Sequence, residues 1–196
     1  EKETGVTTFK LQQEIDTGNI LMQQEISINE NETAGELHDE LKNLGASVLV
    51  KTIAAIAEES IKEIPQPTPA FDGTGTHNSL PHLAGQPLTM KSAPKINAET
   101  CKIDWSKSTN DIFNLIRGLS PYPTAFTYLE DKIFKIFSAK KDIVTHQHAI
   151  GSIHTDEKMF LKFACADGFI YCTDIQLQGK KRMSVEDFLR GYKFNK

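Results

Sequence analysis

Cysteine is scarce and unpatterned: Cys101, Cys165 and Cys172 are three in 196 residues, an odd number with no Cys-x-x-Cys spacing. That argues against a disulfide framework or a cysteine zinc site and fits a reducing cytoplasm. Cys165 and Cys172 flank Asp167-Gly168 and could face one another across a hairpin, yet both are expected as small buried core residues. Long apolar runs are also missing, and none approaches the ~20 residues needed to span a bilayer, so no membrane role is indicated. The chain starts at Glu1 without a Met, a basic n-region or an apolar h-region, so no signal peptide is read. It reads as a stretch entered in mid-domain.

A hydrophobic content of 39% with 24% charged residues describes a soluble globular chain long enough for one or two domains. The net charge of −4 is unevenly spread. Residues 1–93 carry 6 Lys and Arg against 14 Asp and Glu, and residues 94–196 carry 16 against 12. A polyanion is therefore expected to meet the second part, although many solvated surfaces carry a similar excess.

The most informative stretch is residues 7–28, which breaks at Ile15-Asp16-Thr17-Gly18-Asn19. Val6-Thr7-Thr8-Phe9-Lys10-Leu11 alternates in polarity and reads as a half-buried strand; Ile20-Leu21-Met22 leads into a second strand ending near Ile28. Gly18 and Asn19 tolerate positive φ, and an Asp side chain accepts from amides two residues ahead. The pattern holds the Asp16 carboxylate on a stiff loop between two strands; its ordinary reading is an Asx-turn residue.

Thr33-Ala34-Gly35-Glu36 is a capping box, and Leu37, Leu41 and Leu44 then share a helical face that Gly45 is expected to close. A second helix is expected over residues 46–60, with Val48, Leu49, Ile53 and Ile56 packed on one face and His38 solvated. The Pro65-Gln66-Pro67-Thr68-Pro69 run stops helix continuation, and residues 65–93 read as a linker in which His77 and His82 have no metal-binding company. Beyond it, Ser108 caps a short helix with Ile112, Leu115 and Ile116 apolar and Gly118 ending it. Strands are expected at 125–129, 132–139 and 159–165, the last meeting 169–177 through Asp167-Gly168, with a closing helix capped by Ser184. Several short strands with few helices read as a small barrel. His146-Gln147-His148 with His154 could ligate a metal, but no third ligand is evident and the segment reads as a polar loop.

Glu3-Thr4-Gly5-Val6-Thr7 and Ile15-Asp16-Thr17-Gly18-Asn19-Ile20-Leu21 resemble the second half of the catalytic domain of enzymes that use 10-formyltetrahydrofolate. Ile103-Asp104-Trp105-Ser106, Ile116-Arg117-Gly118-Leu119-Ser120-Pro121-Tyr122-Pro123 and Gly179-Lys180-Lys181-Arg182-Met183-Ser184 resemble the C-terminal domain of the methionyl-tRNA formyltransferase family. The resemblance covers nearly the whole chain in the right order; residues 70–89 depart from it in being rich in Gly and His.

The resemblance implies an α/β, Rossmann-like partial formyltransferase segment over 1–64, a linker over 65–93 and a mainly β, OB-like barrel binding tRNA over 94–196. It implies formyl transfer from 10-formyltetrahydrofolate to the amino group of Met on initiator methionyl-tRNA, by a cytoplasmic monomer without a metal. In that family an Asn, a His and an Asp share the chemistry, and Asp16 matches the Asp. Ile15, Asp16, Thr17 and Gly18 match a loop lining the folate site. The Asn and His belong upstream, so this stretch is expected to be inactive alone. Lys95, Arg117, Lys180, Lys181, Arg182, Arg190 and Lys193 are the residues expected along one RNA-facing groove. Other readings are a different 10-formyltetrahydrofolate-dependent formyltransferase or hydrolase, or an RNA-binding module without catalysis.

Overall fold

Alternating β-branched and polar residues pair Glu3–Phe9 (β1) antiparallel with Ile20–Ser27 (β2), from Glu3 opposite Ser27 to Phe9 opposite Ile20. A register shift between Thr8 and Phe9 leaves Leu21 without a ladder partner. The structure is a computed structural model that describes residues 1–13, 18–66, 70–71, 77–78, 80–81, 87–88 and 93–194. It divides into two units: Glu1–Asn29 with Asp39–Lys95, and Glu30–His38 with Ile96–Lys196.

The helix that follows the hairpin is continuous, Ala34–Ala57 (α1), instead of two helices parted at Gly45. Its start is the expected capping box: Glu36 N–H donates to Thr33 Oγ1 at 3.3 Å, and Thr33 N–H donates to the Glu36 carboxylate at 2.8 Å. The Thr33 amide, then the Thr33 hydroxyl, which donates to the same carboxylate oxygen at 2.8 Å, hold the Glu36 carboxyl below its ordinary pKa. Gly45 does not end the helix, because a glycine in a helix interior costs only about 1 kcal/mol and the apolar stripe runs through it. A Cβ at Gly45 would meet Val6 of β1 at 3.8 Å, so the glycine lies where hairpin and helix approach.

The buried stripe of α1 also differs from expectation. Val48 and Thr52 are buried, whereas Leu49, Ile53 and Ile56 are at least half exposed. Thr52 belongs on the inner face because its hydroxyl is satisfied twice, by Val48 O at 2.8 Å and by Thr8 Oγ1 of β1 at 2.9 Å. Further along are two short pairings, Ala70–Phe71 (β3) with His77–Asn78 (β4) and Leu80–Pro81 (β5) with Pro87–Leu88 (β6). They fall in the stretch expected as a plain linker.

The second unit holds two small helices, Ala98–Cys101 (α2) and Thr109–Leu119 (α3). A curled antiparallel sheet follows: Ala125–Leu129 (β7), Lys132–Ile143 (β8), Ile153–Thr155 (β9), Leu161–Cys165 (β10), Gly168–Leu177 (β11) and Met183–Ser184 (β12), closed by Val185–Gly191 (α4). The order across the sheet is β7-β8-β11-β10-β9, with β12 beside β11. Curling comes from register shifts in β11 around Asp174, which leave Thr173 unpaired and increase local twist. Glu130 and Asp131 join β7 to β8 with φ of 46° and 64°, the paired positive angles a two-residue hairpin turn requires.

Inside the curl, Trp105 stacks on Phe163 with centroids 4.3 Å apart, and Phe134 leans on Phe163 and Phe188. The Trp105 indole N–H donates to Thr127 Oγ1 at 3.1 Å, which satisfies its polar edge. Cys101, Cys165 and Cys172 are free and buried, as expected of Cys165 and Cys172, and burial drives the Cys172 thiol well above its usual range. The hairpin of β10 and β11 turns through Ala166-Asp167, because Gly168 is already paired with Cys165. Gly168 lies where the β8 backbone comes too close for a side chain: a Cβ would stand 2.0 Å from Asp142 O.

Asp167 ties this hairpin to α3, accepting from Thr109 Oγ1–H at 2.5 Å and Thr109 N–H at 2.6 Å. The Thr109 hydroxyl, then its amide, hold the Asp167 carboxyl below its usual pKa. With the folded pKa depressed, the stabilisation is full above the unfolded value of ~3.9 and is lost as pH falls through the folded one. Asp167→Ala is expected to cost about 2 kcal/mol at pH 7 and much less at pH 2, read from urea unfolding at both pH values.

Candidate functional site

Ile15, Asp16 and Thr17 of the expected folate loop lie outside the described residues. Gly18 and the base of the loop are described. Lys10 N–H donates to Asn19 O at 2.9 Å, closing the loop across the hairpin. Gly18 is buried, and a Cβ there would stand 1.4 Å from Lys10 O, so the two strands approach as closely as they do only with glycine at this position.

A second clamp comes from residues 63–66. Ile20 and Ile64 exchange both backbone hydrogen bonds, at 2.7 and 2.9 Å. The Glu63 carboxylate accepts from Lys10 Nζ and Asn19 Nδ2, each at 2.8 Å, and Gln66 Nε2 donates to Gly18 O at 2.7 Å. The Lys10 ammonium, followed by the Asn19 amide, holds the Glu63 carboxyl below its ordinary pKa. Lys10, Gly18, Asn19 and Ile20 are thus all held by one segment, residues 63–66. Sequence reasoning misses Glu63, Ile64 and Gln66. The Pro65-Gln66-Pro67 run reads as the start of a linker, and no local pattern marks a residue whose partner is more than forty positions away.

The expected RNA-facing residues are placed unevenly. Lys180, Lys181 and Arg182 follow β11 in an exposed turn, where Lys180 N–H donates to Leu177 O at 2.9 Å and Gly179 takes φ of 79°. Arg182 is partly engaged: it donates to Asp174 Oδ2 at 2.5 and 2.8 Å, and its guanidinium lies 4.3 Å from the Phe137 ring centre. The hydrogen bonds to Asp174 raise its pKa. Arg190 is exposed at the end of α4 and reaches Asp187 at 2.8 Å; Lys193 is exposed just beyond.

Arg117 is half buried on α3, donating through Nε to Asn114 Oδ1 at 2.8 Å and through NH1 to Glu32 O at 3.0 Å. It braces residues 30–38 and lines a groove of about 420 Å³ with Asn31, Thr33, Phe137, Lys140 and Thr173. Lys95 is exposed and belongs to the first unit, unlike the others.

His146, His148 and His154 do come together, around the Phe169 ring at centroid distances of 4.6, 5.6 and 5.6 Å. His146 Nε2 faces two acceptors, Cys165 O at 2.9 Å and Gly168 O at 3.0 Å, so that nitrogen carries the proton; Nδ1 accepts from His148 N–H at 3.2 Å. His146 thus pins a polar loop to the β10–β11 hairpin. Burial, then the neighbouring His148 and Lys162, hold the His154 pKa down. Among the described residues no group of three His, Cys, Asp or Glu side chains is placed to hold a metal. No described helix is long and apolar enough to cross a membrane.

Two family profiles match this chain: the formyl transferase C-terminal domain over residues 95–193 and the formyl transferase domain over residues 1–53. A methionyl-tRNA formyltransferase of Azobacteroides pseudotrichonymphae is 47% identical over 197 residues, covering 97% of this chain and 56% of its own length. The methionyl-tRNA formyltransferase of Phocaeicola vulgatus is 41% identical over 198 residues, covering 98% of this chain and 57% of its own. The chain therefore spans a little over half the length of these curated relatives. Among solved structures, HypX from Aquifex aeolicus in complex with tetrahydrofolic acid superposes with a TM-score of 0.63 over 97% of this chain and 31% of its own, at 16% identity. With profile matches over residues 1–53 and 95–193, the protein belongs to the formyl transferase family, and along its length it is similar to proteins named methionyl-tRNA formyltransferase.

Proposed function

We propose that this chain is the C-terminal portion of a methionyl-tRNA formyltransferase, acting in the cytoplasm as a monomer. Residues 1–64 are the end of its catalytic domain, 65–93 a linker, and 94–196 an OB-like barrel that binds tRNA. The complete protein moves a formyl group from 10-formyltetrahydrofolate to the methionine amine of initiator methionyl-tRNA, without a metal. The observation that carries the reading is identity of 41–47% to relatives of that name over both units, in one order.

The chemistry asks for a neutral amine, donors for the oxygen that becomes an oxyanion, and a route for the proton leaving nitrogen. Asp16 supplies the carboxylate that orients an imidazole and stabilises its protonated form, with Ile15, Thr17 and Gly18 beside the pterin of the folate. The clamp of Glu63 and Gln66 on Lys10, Asn19 and Gly18, the described residues on either side of that stretch, supports this role. The exposed side chains of Leu49, Val50, Ile53 and Ile56 on α1 support it too, since apolar surface of this extent is ordinarily covered, here by the rest of the catalytic domain.

The barrel offers Lys180, Lys181, Arg182, Arg190 and Lys193 as phosphate contacts, with Arg117 and Lys95 at further points. Reversing charge at Lys180, Lys181 and Arg182 together is expected to weaken binding of a tRNA transcript. It should also flatten the dependence of log Kd on log salt by roughly one unit for each phosphate that is no longer neutralised. Filter binding of the 196-residue chain across a salt series reads both. Absence of binding at low salt, or a slope indifferent to the substitutions, removes the electrostatic tRNA platform.

A further inference from the structure

We infer that the outer face of the sheet formed by β8, β11, β10 and β9 is a platform for one unpaired RNA nucleotide, with its base on Tyr171 and Phe160 and its phosphate at Lys140 and Lys162. The inference rests on the RNA-binding reading above but names a different surface and a different mode of contact.

Register places the platform. His154, Lys162, Tyr171 and Lys140 are successive cross-strand partners on four adjacent strands, so their side chains form one row on one face. The neighbouring row of partners, Leu161 and Cys172, points into the core and is buried. The outward row borders a groove of about 460 Å³ that Lys140, Met159, Phe160, Tyr171 and Glu186 line, a size within the roughly 300–1,000 Å³ typical of small-ligand clefts. Phe160 and Tyr171, half-buried rings with centroids 6.0 Å apart, give it one aromatic surface, with the Lys162 ammonium 5.8 and 4.8 Å from their centres, and Met159 beside them is 64% exposed.

Lysines flank the rings: Lys140 lines the groove, and Lys162, on the neighbouring strand and outside the groove lining, lies over the aromatic rings. Lys162 Nζ lies 3.8 Å from the Phe169 ring centre and donates to Tyr171 Oη at 3.0 Å, which uses one of its three N–H groups and fixes the position of the others. Lys140 lines this groove and also the one containing Arg117, so a backbone leaving the platform meets further positive charge.

The acids in the groove, Asp142 and Glu186, repel a phosphate but accept from exocyclic base amines. Exposed ring surface beside lysine ammonium groups suits a stacked base with its phosphate. An acidic peptide would use the lysines without needing the rings, and the carboxylates would oppose it.

The test is fluorescence anisotropy of the 196-residue chain with a short labelled single-stranded RNA of mixed sequence. Tyr171→Leu is expected to weaken binding about tenfold while Tyr171→Phe stays within about twofold, the mark of a ring used for stacking. Phe160→Leu, the ring beside it, is expected to act in the same direction and serves if Tyr171→Leu does not fold. Lys140→Glu should flatten the salt slope by ~0.7, as for one phosphate of a single strand.

Wild-type affinity in folded Tyr171→Leu and Phe160→Leu overturns the platform. So does an acidic peptide that binds as tightly as the RNA, or an RNA that fails to bind at all. If tRNA binding responds to Lys180, Lys181 and Arg182 while the single strand ignores Tyr171 and Phe160, the platform fails and the tRNA reading stands. The converse result supports the platform without that basic turn.

Discussion

Asp16→Asn, made in a protein extended to the length of its relatives, is expected to lower kcat by about 10⁴ while leaving stability and folate affinity nearly unchanged. The amide keeps the size and turn-forming capacity of the carboxylate but cannot hold an imidazole in the required tautomer or stabilise its cation, and both matter most in the transition state. A loss confined to that state appears equally in kcat and kcat/KM. Steady-state kinetics with formyl donor and aminoacylated tRNA read it directly. Near-normal turnover would remove Asp16 from the chemistry, and a loss of stability without a loss of turnover would make it a turn residue.

Gly18→Val should have the second largest effect, and through geometry alone. A Cβ at this position would stand 1.4 Å from the Lys10 carbonyl oxygen, far inside van der Waals contact, so the hairpin must open at its tip. Opening sacrifices the Lys10 N–H to Asn19 O bond and shifts the Gly18 carbonyl away from Gln66. The expected result is folate affinity in the extended protein reduced by roughly 2 kcal/mol or more, about thirtyfold, measured by titration calorimetry. Gly18→Ala should behave similarly, because the first carbon beyond the backbone already meets the obstruction. Glu63→Gln should be much milder, since an amide oxygen still accepts from Lys10 or Asn19 although the ion pair is lost. Unchanged folate binding in Gly18→Val would take the loop out of the folate site.

These two substitutions are legible to different degrees in the sequence. Asp16 is reached by matching a motif, and nothing in its immediate neighbours separates a catalytic carboxylate from an Asx turn. Gly18 is legible as a turn residue, but its strict need for hydrogen in place of a side chain depends on the distance to Lys10, which only the pairing of β1 with β2 creates. The basic turn at Lys180 and Lys181 is evident as a cluster of charges. The entanglement of Arg182 with Asp174 and Phe137, and of Arg117 with Glu32, is not, because it joins residues that lie apart in the chain.

The sequence by itself determined three of the helix starts and the hairpin of β10 with β11. Ser108 and Ser184 each accept from an amide three residues on, Thr33 and Glu36 close their capping box, and β10 meets β11 across two residues. Such features depend on groups within four positions of each other, where the backbone alone brings the partners together. Tertiary structure decided the rest. It carried α1 through Gly45, continued α3 past Gly118 to Leu119, turned Thr52 inward while leaving Ile53 and Ile56 exposed, and tied Asn19 to Glu63 and Gly18 to Gln66. Whether a glycine ends a helix, which stripe is buried and which carboxylate meets which amine are settled by the faces that pack. That choice depends on surface brought in from distant parts of the chain, and short-range periodicity carries no information about it.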